Sequence, residues 1–311
     1  MLPKILIRKF FYVCLSILTV MTLTFILMKA IPGDPFQEEQ ALPEEIYQAL
    51  HSYYGLNESL TVQYFTYMRQ LLTFNFGPSL VYKGQSVTAI IRQSFPISAL
   101  LGFSALTFAV PVGLALGMIA ALRQNRWQDS FVAIGAIIGI SVPSFVIATF
   151  LQYSLAIKLE LFPIARWGSL AHLILPALSL AAMPTAFIAR MTRTKMIEEM
   201  KQGYIATARA KGLSEKKIIF SHAFRNILVP ILSYLGPLAA SILTGSFIVE
   251  KIYGIPGLGY WLVTSVSNRD YPLIMSITVF YCVILLLATF LVDILTLYLD
   301  PRLQVQRDVK C

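Results

Sequence analysis

The amino-acid sequence predicts an all-α membrane protein with six transmembrane helices. Hydrophobic residues make up 57% of the 311 residues and charged residues only 13%, whereas soluble domains carry about 25% charged residues. The apolar residues are gathered into six uncharged runs, each close to or above the roughly 20 residues that cross a bilayer. These runs cover residues 10–28, 93–122, 130–157, 167–189, 226–249 and 271–292. This pattern excludes a soluble enzyme, a disordered chain and a disulfide-linked secreted domain.

Each run is expected to be a helix, because a backbone in lipid must satisfy its hydrogen bonds internally. The sequence has none of the alternating segments of about ten residues that are typical of an outer-membrane barrel. The first run is interpreted as a retained helix and not as a cleaved signal peptide. It has 19 residues, and Pro-Gly-Asp-Pro at 32–35 follows it in place of a small-x-small cleavage site.

The distribution of Lys and Arg predicts that both termini are cytoplasmic. The two termini and the second and fourth loops hold 17 of these residues, and the other three loops hold 8 over a greater length. Basic residues collect on the cytoplasmic side of a membrane protein. The net charge of +9 is therefore explained by topology, which argues against nucleic acid as a partner.

The sequence lacks the groups that drive transport or catalysis inside a membrane. Secondary carriers and proton pumps place ionisable residues at mid-membrane, but Asp293 is the only charged residue well inside an apolar region. There is no G-x-x-x-x-G-K-[ST] loop for ATP, and the three histidines have no metal-ligand spacing. We therefore expect no catalytic, metal or cofactor site in this chain, and a membrane pathway that another component drives.

Proline and glycine inside the runs each have two interpretations. Prolines bend helices, which suits a translocation path, but transmembrane helices also carry proline without such a role. Gly113-x-x-x-Gly117 and Gly135-x-x-x-Gly139 are candidate close helix contacts, although this spacing is common in membrane helices. The prolines concerned are Pro111, Pro143, Pro176, Pro184, Pro230 and Pro237.

The basic loop at 190–226 carries the most specific pattern. The fourth apolar helix is expected to continue past the bilayer to a break at Gly203, followed by a short helix over 204–211. Gly212 suits the position after a helix end, where a positive φ is needed. Ser214 then suits the N-cap of a second helix that leads into the fifth run. The pattern predicts a short helix that protrudes from the membrane and presents small residues to another protein.

This loop resembles the E-A-A-x3-G-x9-I-x-L-P loop of ABC importer permeases. Ala206, Thr207 and Ala208 stand at the E-A-A positions, and Gly212 stands at the motif glycine. The sequence departs from the general pattern at the Glu position and at the I-x-L-P end, where residues 222–225 read H-A-F-R. Both departures resemble the peptide branch of the family, in which T-A-R-A-K-G-L is followed by H-A-x-R-N.

Other stretches resemble the B-type permease subunit of oligopeptide and dipeptide importers. They are Ile-Pro-Gly-Asp-Pro at 31–35, the glycine-rich sequence at 249–259 with Asn-Arg-Asp-Tyr-Pro at 268–272, and Asp-Pro-Arg at 300–302. The resemblance covers about residues 1–305. One departure is Phe-Asn-Phe-Gly at 74–77, where the family usually has Gly-Asp-Leu-Gly.

The resemblance implies the type I ABC importer permease fold and a multi-pass subunit of a bacterial inner-membrane importer. Its partners would be a second homologous permease, two P-loop ATPase subunits, an extracytoplasmic solute-binding protein and a peptide substrate, with no enzymatic activity in this chain. The implied domains are a transmembrane helix (1–31), an extracytoplasmic segment (32–93), the permease module (94–297) and a cytoplasmic tail (298–311). Spans of the module are placed at 96–122, 131–157, 170–190, 226–249 and 273–298.

The resemblance also implies that the short helix is a coupling helix that docks on a partner ATPase. The alternative is a solvated basic linker retained for topology. A candidate outer gate, or else a plain outer turn, is formed by Gly254, Pro256, Gly257 and Gly259. The candidate docking residues are Tyr204, Ala206, Thr207, Ala208, Arg209, Ala210, Lys211, Gly212, Leu213 and Glu215.

Two further alternatives stay open at the level of sequence. The acidic and aromatic segment at 32–92 is either a docking surface for the binding protein or a solvated stretch with an interfacial helix near 60–73. The substrate is a peptide or another small molecule that the family imports, such as a nickel complex, haem or glutathione. A stand-alone channel or secondary carrier is the rival class, but it has no use for a docking helix.

Overall fold

The structure, a computed structural model, describes residues 2–30, 44–53, 55–82, 84–243 and 246–299. Within these residues every regular element is helical, and one isolated antiparallel bridge joins Pro78 and Ser86. The prediction of an all-α protein is therefore confirmed. Two of the sequences that resemble the family, at 31–35 and 300–302, lie outside the described residues.

The helices follow one another along the chain, with two short π-helical segments at Gln152–Lys158 and Ile218–Ala223. In chain order they are α1 (Leu2–Ala30), α2 (Glu44–Tyr53), α3 (Leu60–Leu72), α4 (Val87–Leu122), α5 (Trp127–Ser141), α6 (Ser144–Leu151), α7 (Ala171–Glu199), α8 (Gly203–Ala210), α9 (Glu215–Lys217), α10 (Phe224–Leu243), α11 (Phe247–Tyr253), α12 (Leu258–Ser267) and α13 (Tyr271–Leu299).

Among the described residues, five helical stretches are long and apolar enough to cross a membrane, and a bent pair of helices gives a sixth if it counts as one span. The bent pair is Trp127–Ser141 with Ser144–Lys158, at an angle of 104°. The sequence predicted one helix here, and the structure has two. The five stretches are Ile7–Ala30, Val87–Leu122, Ala171–Glu199, Glu215–Ala239 and Tyr271–Val292.

The break between α5 and α6 falls at Pro143. Val142 before it has extended backbone, with φ −86° and ψ 122°, as expected for a residue that precedes proline. Helices α7 and α10 nevertheless continue through two prolines each, which are Pro176 and Pro184, and Pro230 and Pro237. Proline alone therefore does not decide where these helices end.

The run at 226–249 also differs from the prediction of one helix. Helix α10 ends at Leu243 and α11 begins at Phe247. Ser246 caps α11, since its side chain accepts a hydrogen bond from the backbone N–H of Val249 at 3.5 Å. A serine cap satisfies an amide at a helix start, so it favours a new helix at this point.

The chain forms two compact units, each made of two separate parts of the sequence. Unit 1 comprises Met1–Ile97 and Pro256–Leu286, and unit 2 comprises Ser98–Ile255 and Leu287–Cys311. Helices α4 and α13 contribute residues to both units. The domain boundaries that the sequence suggested stay predictions.

In unit 1, helix α3 packs against α1 through aromatic side chains. The rings of Phe25 and Tyr67 stack with centroids 5.8 Å apart, and the hydroxyls of Thr22 and Tyr64 lie 2.9 Å apart. The sequence had suggested a helix near 60–73, and α3 occupies Leu60–Leu72. Aromatic packing of this kind attaches the segment after α1 to the end of α1 itself.

The segment before α4 is attached to the start of α13 by a buried carboxylate. Asp270 is fully buried, accepts a hydrogen bond from the hydroxyl of Ser79, and accepts another from the backbone N–H of Leu80 at 3.2 Å. Buried charges in proteins are normally hydrogen-bonded in this way. Asp270 therefore joins two parts of unit 1 that lie about 190 residues apart in sequence.

In unit 2, helix α4 approaches α7 at the glycines of the first G-x-x-x-G pattern. A Cβ atom on Gly113 would lie 2.8 Å from Cβ of Ile188, and one on Gly117 would lie 2.5 Å from the carbonyl oxygen of Ala189. In the second pattern, Gly139 is equally close to α7, but Gly135 has no atom within 4 Å of its Cβ position. Close contacts are thus confirmed at three glycines, and Gly135 makes none with the described residues of this chain.

Candidate functional site

The loop between α7 and α10 contains a short helix, α8, in the predicted place. Helix α7 ends at Glu199, and Gln202 then adopts an extended backbone with φ −70° and ψ 147°. The carbonyl of Gln202 accepts a hydrogen bond from the N–H of Ile205 at 3.0 Å, which starts α8. The predicted helix over 204–211 is confirmed, with each end shifted by one residue to Gly203–Ala210.

Gly212 ends α8 in the conformation that the sequence predicted. Its φ is +78°, and its N–H donates to the carbonyl of Arg209 at 2.9 Å. The N–H of Leu213 donates to the carbonyl of Ala208 at 3.2 Å. These two bonds form a Schellman motif, which needs a left-handed residue after the helix and therefore favours glycine.

Ser214 begins the next helix, as predicted, but without the expected side-chain bond. Its backbone is extended, with φ −64° and ψ 145°, and its side chain makes no capping hydrogen bond. Glu215 lies in the first turn of α9, where a negative charge interacts favourably with the helix dipole. Helix α9 then continues through the π-helical segment into α10.

The inner face of α8 is apolar and packs on the chain itself. Ile205 is fully buried and Ala208 is 8% exposed, and both belong to a core cluster that includes Met196 and Ile218. Ala208 was among the candidate docking residues, but its side chain faces the permanent core of unit 2. Ala208 faces away from the exposed Ala206 because residues two apart in a helix point to opposite sides.

The outer face of α8 consists of small residues open to solvent. Gly203, Ala206, Thr207 and Ala210 are all exposed, and their spacing of three and four places them on one side of the helix. The hydroxyl of Thr207 donates to the carbonyl of Gly203 at 3.1 Å, so even this polar group lies against the backbone. We call these four residues the small-residue face. Another protein can approach the helix backbone closely there.

The charged Arg209 of α8 pairs with a glutamate of the same chain. Arg209 contacts Glu215 through two bonds, from Nε to Oε1 at 2.7 Å and from Nη2 to Oε2 at 3.3 Å. Both side chains are about half exposed, so solvent weakens the pair. Arg209 and Glu215, both candidate docking residues, therefore bind each other in this chain. Lys211 remains exposed at the end of α8.

Tyr204 belongs to a hydrogen-bonded triangle that holds α8 between its neighbours. Its hydroxyl donates to the carboxylate of Glu199 at the end of α7, and the side-chain amide of Asn226 in α10 donates to Glu199 at 2.7 Å and to Tyr204 at 3.0 Å. Bonds to an ionised carboxylate are the stronger kind. Partial burial and the bond to Glu199 raise the pKa of Tyr204 to about 12, so the phenol stays a donor well above neutral pH.

Sequence reasoning missed Glu199 and Asn226, and it also missed an ion pair that attaches α5 to α7. Asp129, in the first turn of α5, is almost fully buried and accepts from Arg193 at 2.5 Å and 2.8 Å. The backbone N–H of Asn125 donates to the same carboxylate at 3.0 Å. The feature of the sequence that could have indicated this ion pair is the position of Asp129, an acidic residue directly after a basic loop.

The candidate gate residues fall into two groups. Gly254 ends α11 with φ +63°, in unit 2. In unit 1, Pro256 and Gly257 precede α12, and Gly257 is extended with φ −90° and ψ 179°. Gly259 lies inside α12, so a turn at these residues ends before it. The gate itself stays a prediction.

Comparison with known proteins identifies the family. The family described as "Binding-protein-dependent transport system inner membrane component" matches residues 113–305, and the N-terminal family of the same systems matches residues 1–102. The chain belongs to this family. It is therefore a multi-pass bacterial inner-membrane protein and a transport-system permease subunit, not a member of an enzyme family.

Curated relatives match the permease over almost its whole length. It is 47% identical to the dipeptide transport system permease protein DppB of Bacillus subtilis over 306 residues, which cover 98% of this chain and 99% of that protein. It is 41% identical to the oligopeptide transport system permease protein OppB of Salmonella typhimurium over 303 residues, which cover 97% and 99%.

A solved structure supports the fold of the permease. A chain of the MetNI methionine ABC transporter, in an inward-facing conformation, matches with a TM-score of 0.55 and 15% identity. The match covers 68% of the permease and 96% of that chain. At this identity the likeness shows a shared fold alone.

The end of α8 gives a prediction about local stability. Gly212→Val is expected to destabilise the loop, because a non-glycine residue in the left-handed region costs roughly 1–2 kcal/mol and a β-branched residue resists it further. Gly203→Val is the matched control, since both glycines have open space at the Cβ position and only Gly212 has positive φ. Limited proteolysis of the purified permease should cut the 190–226 loop faster in Gly212→Val alone. Equal cutting of both variants would contradict the backbone explanation.

Proposed function

We propose that this chain is the membrane-spanning permease subunit of an ATP-driven importer of peptides. It would form a translocation path with a second, homologous permease, and an extracytoplasmic binding protein would deliver the peptide. The observation that carries the proposal is the match to a dipeptide and an oligopeptide permease over at least 97% of this chain. A match of that extent includes both family regions and every span, so it reflects the whole subunit and not one motif.

The small-residue face of α8 is the proposed docking surface for one of two P-loop ATPase subunits. Its support is threefold. The face is exposed, its side chains are small, and the triangle of Tyr204, Glu199 and Asn226 joins α8 to both flanking helices. Force applied by a partner at α8 would therefore reach α7 and α10 directly. ATP hydrolysis is assigned to the partner subunits, because the sequence has no P-loop.

The proposed topology has six spans, with both termini in the cytoplasm. The five long apolar stretches, the bent pair of α5 with α6, and the 17-to-8 distribution of basic residues support it. In this arrangement α1 and the segment at 32–93 are additions to a permease module at 94–297, followed by a short tail.

Reporter fusions test this topology. Two reporters are used, one that is active only outside the cytoplasm and one that is active only inside it. At residue 60 the outside reporter should be active. At residues 125 and 205 the inside reporter should be active. The fusion at residue 125 is a control for the bent pair, because it lies directly before α5. The same reading at residues 60 and 205 would contradict the six-span arrangement.

Uptake by cells tests the substrate class. Deleting the gene for this chain should abolish uptake of labelled di- or oligopeptides, and restoring it should recover that uptake. Nickel, haem and glutathione uptake should be unchanged by the deletion. Loss of one of these instead, with peptide uptake intact, would assign the permease to another substrate of its family.

A further inference from the structure

Unit 1 contains a cavity of about 570 Å³ whose lining is partly apolar and partly polar. This volume lies within the roughly 300–1,000 Å³ range of small-molecule sites. The cavity lies between the last turn of α1, the segment from α2 to α3, and the first turns of α13. Its apolar side chains include Phe25 and Met28, and its polar side chains include Lys29, Glu58 and Tyr67.

One buried polar group at this cavity stands out. Tyr67 is 7% exposed, and its hydroxyl has no hydrogen-bond partner among the residues that the structure describes. The neighbouring Tyr64 differs, since its hydroxyl lies 2.9 Å from that of Thr22. A buried hydroxyl without a partner is costly, and buried polar groups in proteins nearly always have one. The Tyr67 hydroxyl is therefore suited to donate to a ligand in the cavity.

A positive charge lies at the same end of α1. Lys29 lines the cavity and is also exposed to solvent, which places it at the rim. Its ammonium lies 5.9 Å from the ring centroid of Phe25, a second cavity residue. Lysines near the ends of membrane helices extend toward the polar interface of the bilayer. An ammonium and a phenol hydroxyl beside one cavity can together donate to a phosphate group.

The surface of α1 indicates where such a phosphate comes from. Just before Lys29, Leu23, Ile26 and Leu27 are all more than half exposed. These residues lie in a stretch apolar enough to cross a membrane, so in the bilayer this face of α1 meets acyl chains. A phosphate carried by a membrane lipid would bring its own chains to that face, whereas a free phosphate would not use it.

We propose that this cavity binds the headgroup of a membrane phospholipid. The phosphate accepts hydrogen bonds from the Lys29 ammonium and the Tyr67 hydroxyl, and the acyl chains lie along the exposed face of α1. Glu58 in the lining complements the ammonium of an ethanolamine headgroup, so phosphatidylethanolamine is the specific ligand we assign. The lipid would attach α3 and the start of α13 to the C-terminal end of α1.

Native mass spectrometry of the purified transporter, with phosphatidylethanolamine added, tests this assignment. Wild type should retain one such lipid per permease chain, and should retain neither diacylglycerol, which lacks the phosphate, nor soluble glycerophosphoethanolamine. Tyr67→Phe keeps the ring that stacks on Phe25 and should reduce retention about fivefold, as expected for the loss of one hydrogen bond. Lys29→Gln should reduce retention by about tenfold or more, as expected for a bond to a charged donor.

Two control variants match these substitutions. Tyr64→Phe removes a hydroxyl from the same helix outside the cavity lining, and Lys9→Gln removes an ammonium from the other end of α1. Both should retain the lipid as wild type does. Equal retention by all four variants, or equal retention of diacylglycerol by wild type, would overturn the site. If soluble glycerophosphoethanolamine bound as tightly as the lipid, this result would overturn the proposal that the bound phosphate belongs to a membrane lipid.

Discussion

Ala206→Trp is expected to abolish peptide uptake while the permease remains folded in the membrane. Ala206 and Ala210 are exposed on the small-residue face, so an indole at this position displaces nothing in the core of unit 2. A partner that packs against the backbone of α8 would instead be held away from it. Charge should matter less, because Arg209 is already paired with Glu215. We therefore expect Arg209→Ala to reduce uptake by a smaller factor.

Co-purification of the ATPase subunits, measured beside uptake, separates a docking defect from a folding defect. Lys216→Trp is the control, since it places the same side chain on an exposed position of the next helix. The control should keep both uptake and bound ATPase, and Ala206→Trp should lose both at normal membrane levels of the permease. Normal uptake by Ala206→Trp with ATPase bound would contradict the assignment of α8 as the docking helix.

Gly117→Leu is expected to destabilise the permease strongly, because it forces two membrane helices apart. A Cβ atom there would lie 2.5 Å from the carbonyl oxygen of Ala189 and 2.5 Å from Cβ of Thr192. The carbonyl is part of the backbone of α7 and cannot rotate away, so α4 and α7 must separate. Overpacking of this kind typically costs about 1–3 kcal/mol, and the larger figure applies where backbone is the obstacle.

Gly135→Leu is the matched control, because no atom beyond its own helix backbone lies within 4 Å of its Cβ position. Thermal unfolding of the purified permease in detergent should show a lower midpoint for Gly117→Leu and little change for Gly135→Leu. A midpoint for Gly117→Leu equal to that of wild type would contradict the close approach of α4 and α7.

The sequence predicted which segments are helical better than where some of them end. Length and hydropathy determine helices in lipid, so α1, α4, α7 and α13 were predictable. The break between α5 and α6 was not predictable, because the hydropathy of an apolar run does not show where the helix in it bends. Pro143 lies at that break, yet Pro176 and Pro184 lie inside a continuous α7. The packing of a helix against its neighbours is not visible in a single apolar run.

At the candidate site the local features were predictable and the distant contacts were not. The short helix after a break near Gly203 and the left-handed Gly212 follow from neighbouring residues, although the break itself lies at 200–202 and Gly203 is the first residue of α8. Asn226 contacts a carboxylate 27 residues away, and Arg193 contacts one 64 residues away, so only the folded chain brings these groups together. The position of Ala208 could have been predicted, because alternate residues of a helix cannot share one face.

ATP-dependent uptake of a labelled dipeptide into proteoliposomes is the decisive experiment. The vesicles would contain this permease, its second permease and the ATPase subunits, with the binding protein and peptide on the extracytoplasmic side and ATP on the other. We predict uptake that requires ATP and every partner, and no hydrolysis of ATP by this chain when it is purified alone. Uptake of the peptide by this chain alone, without ATP, would contradict the account and identify a channel or secondary carrier.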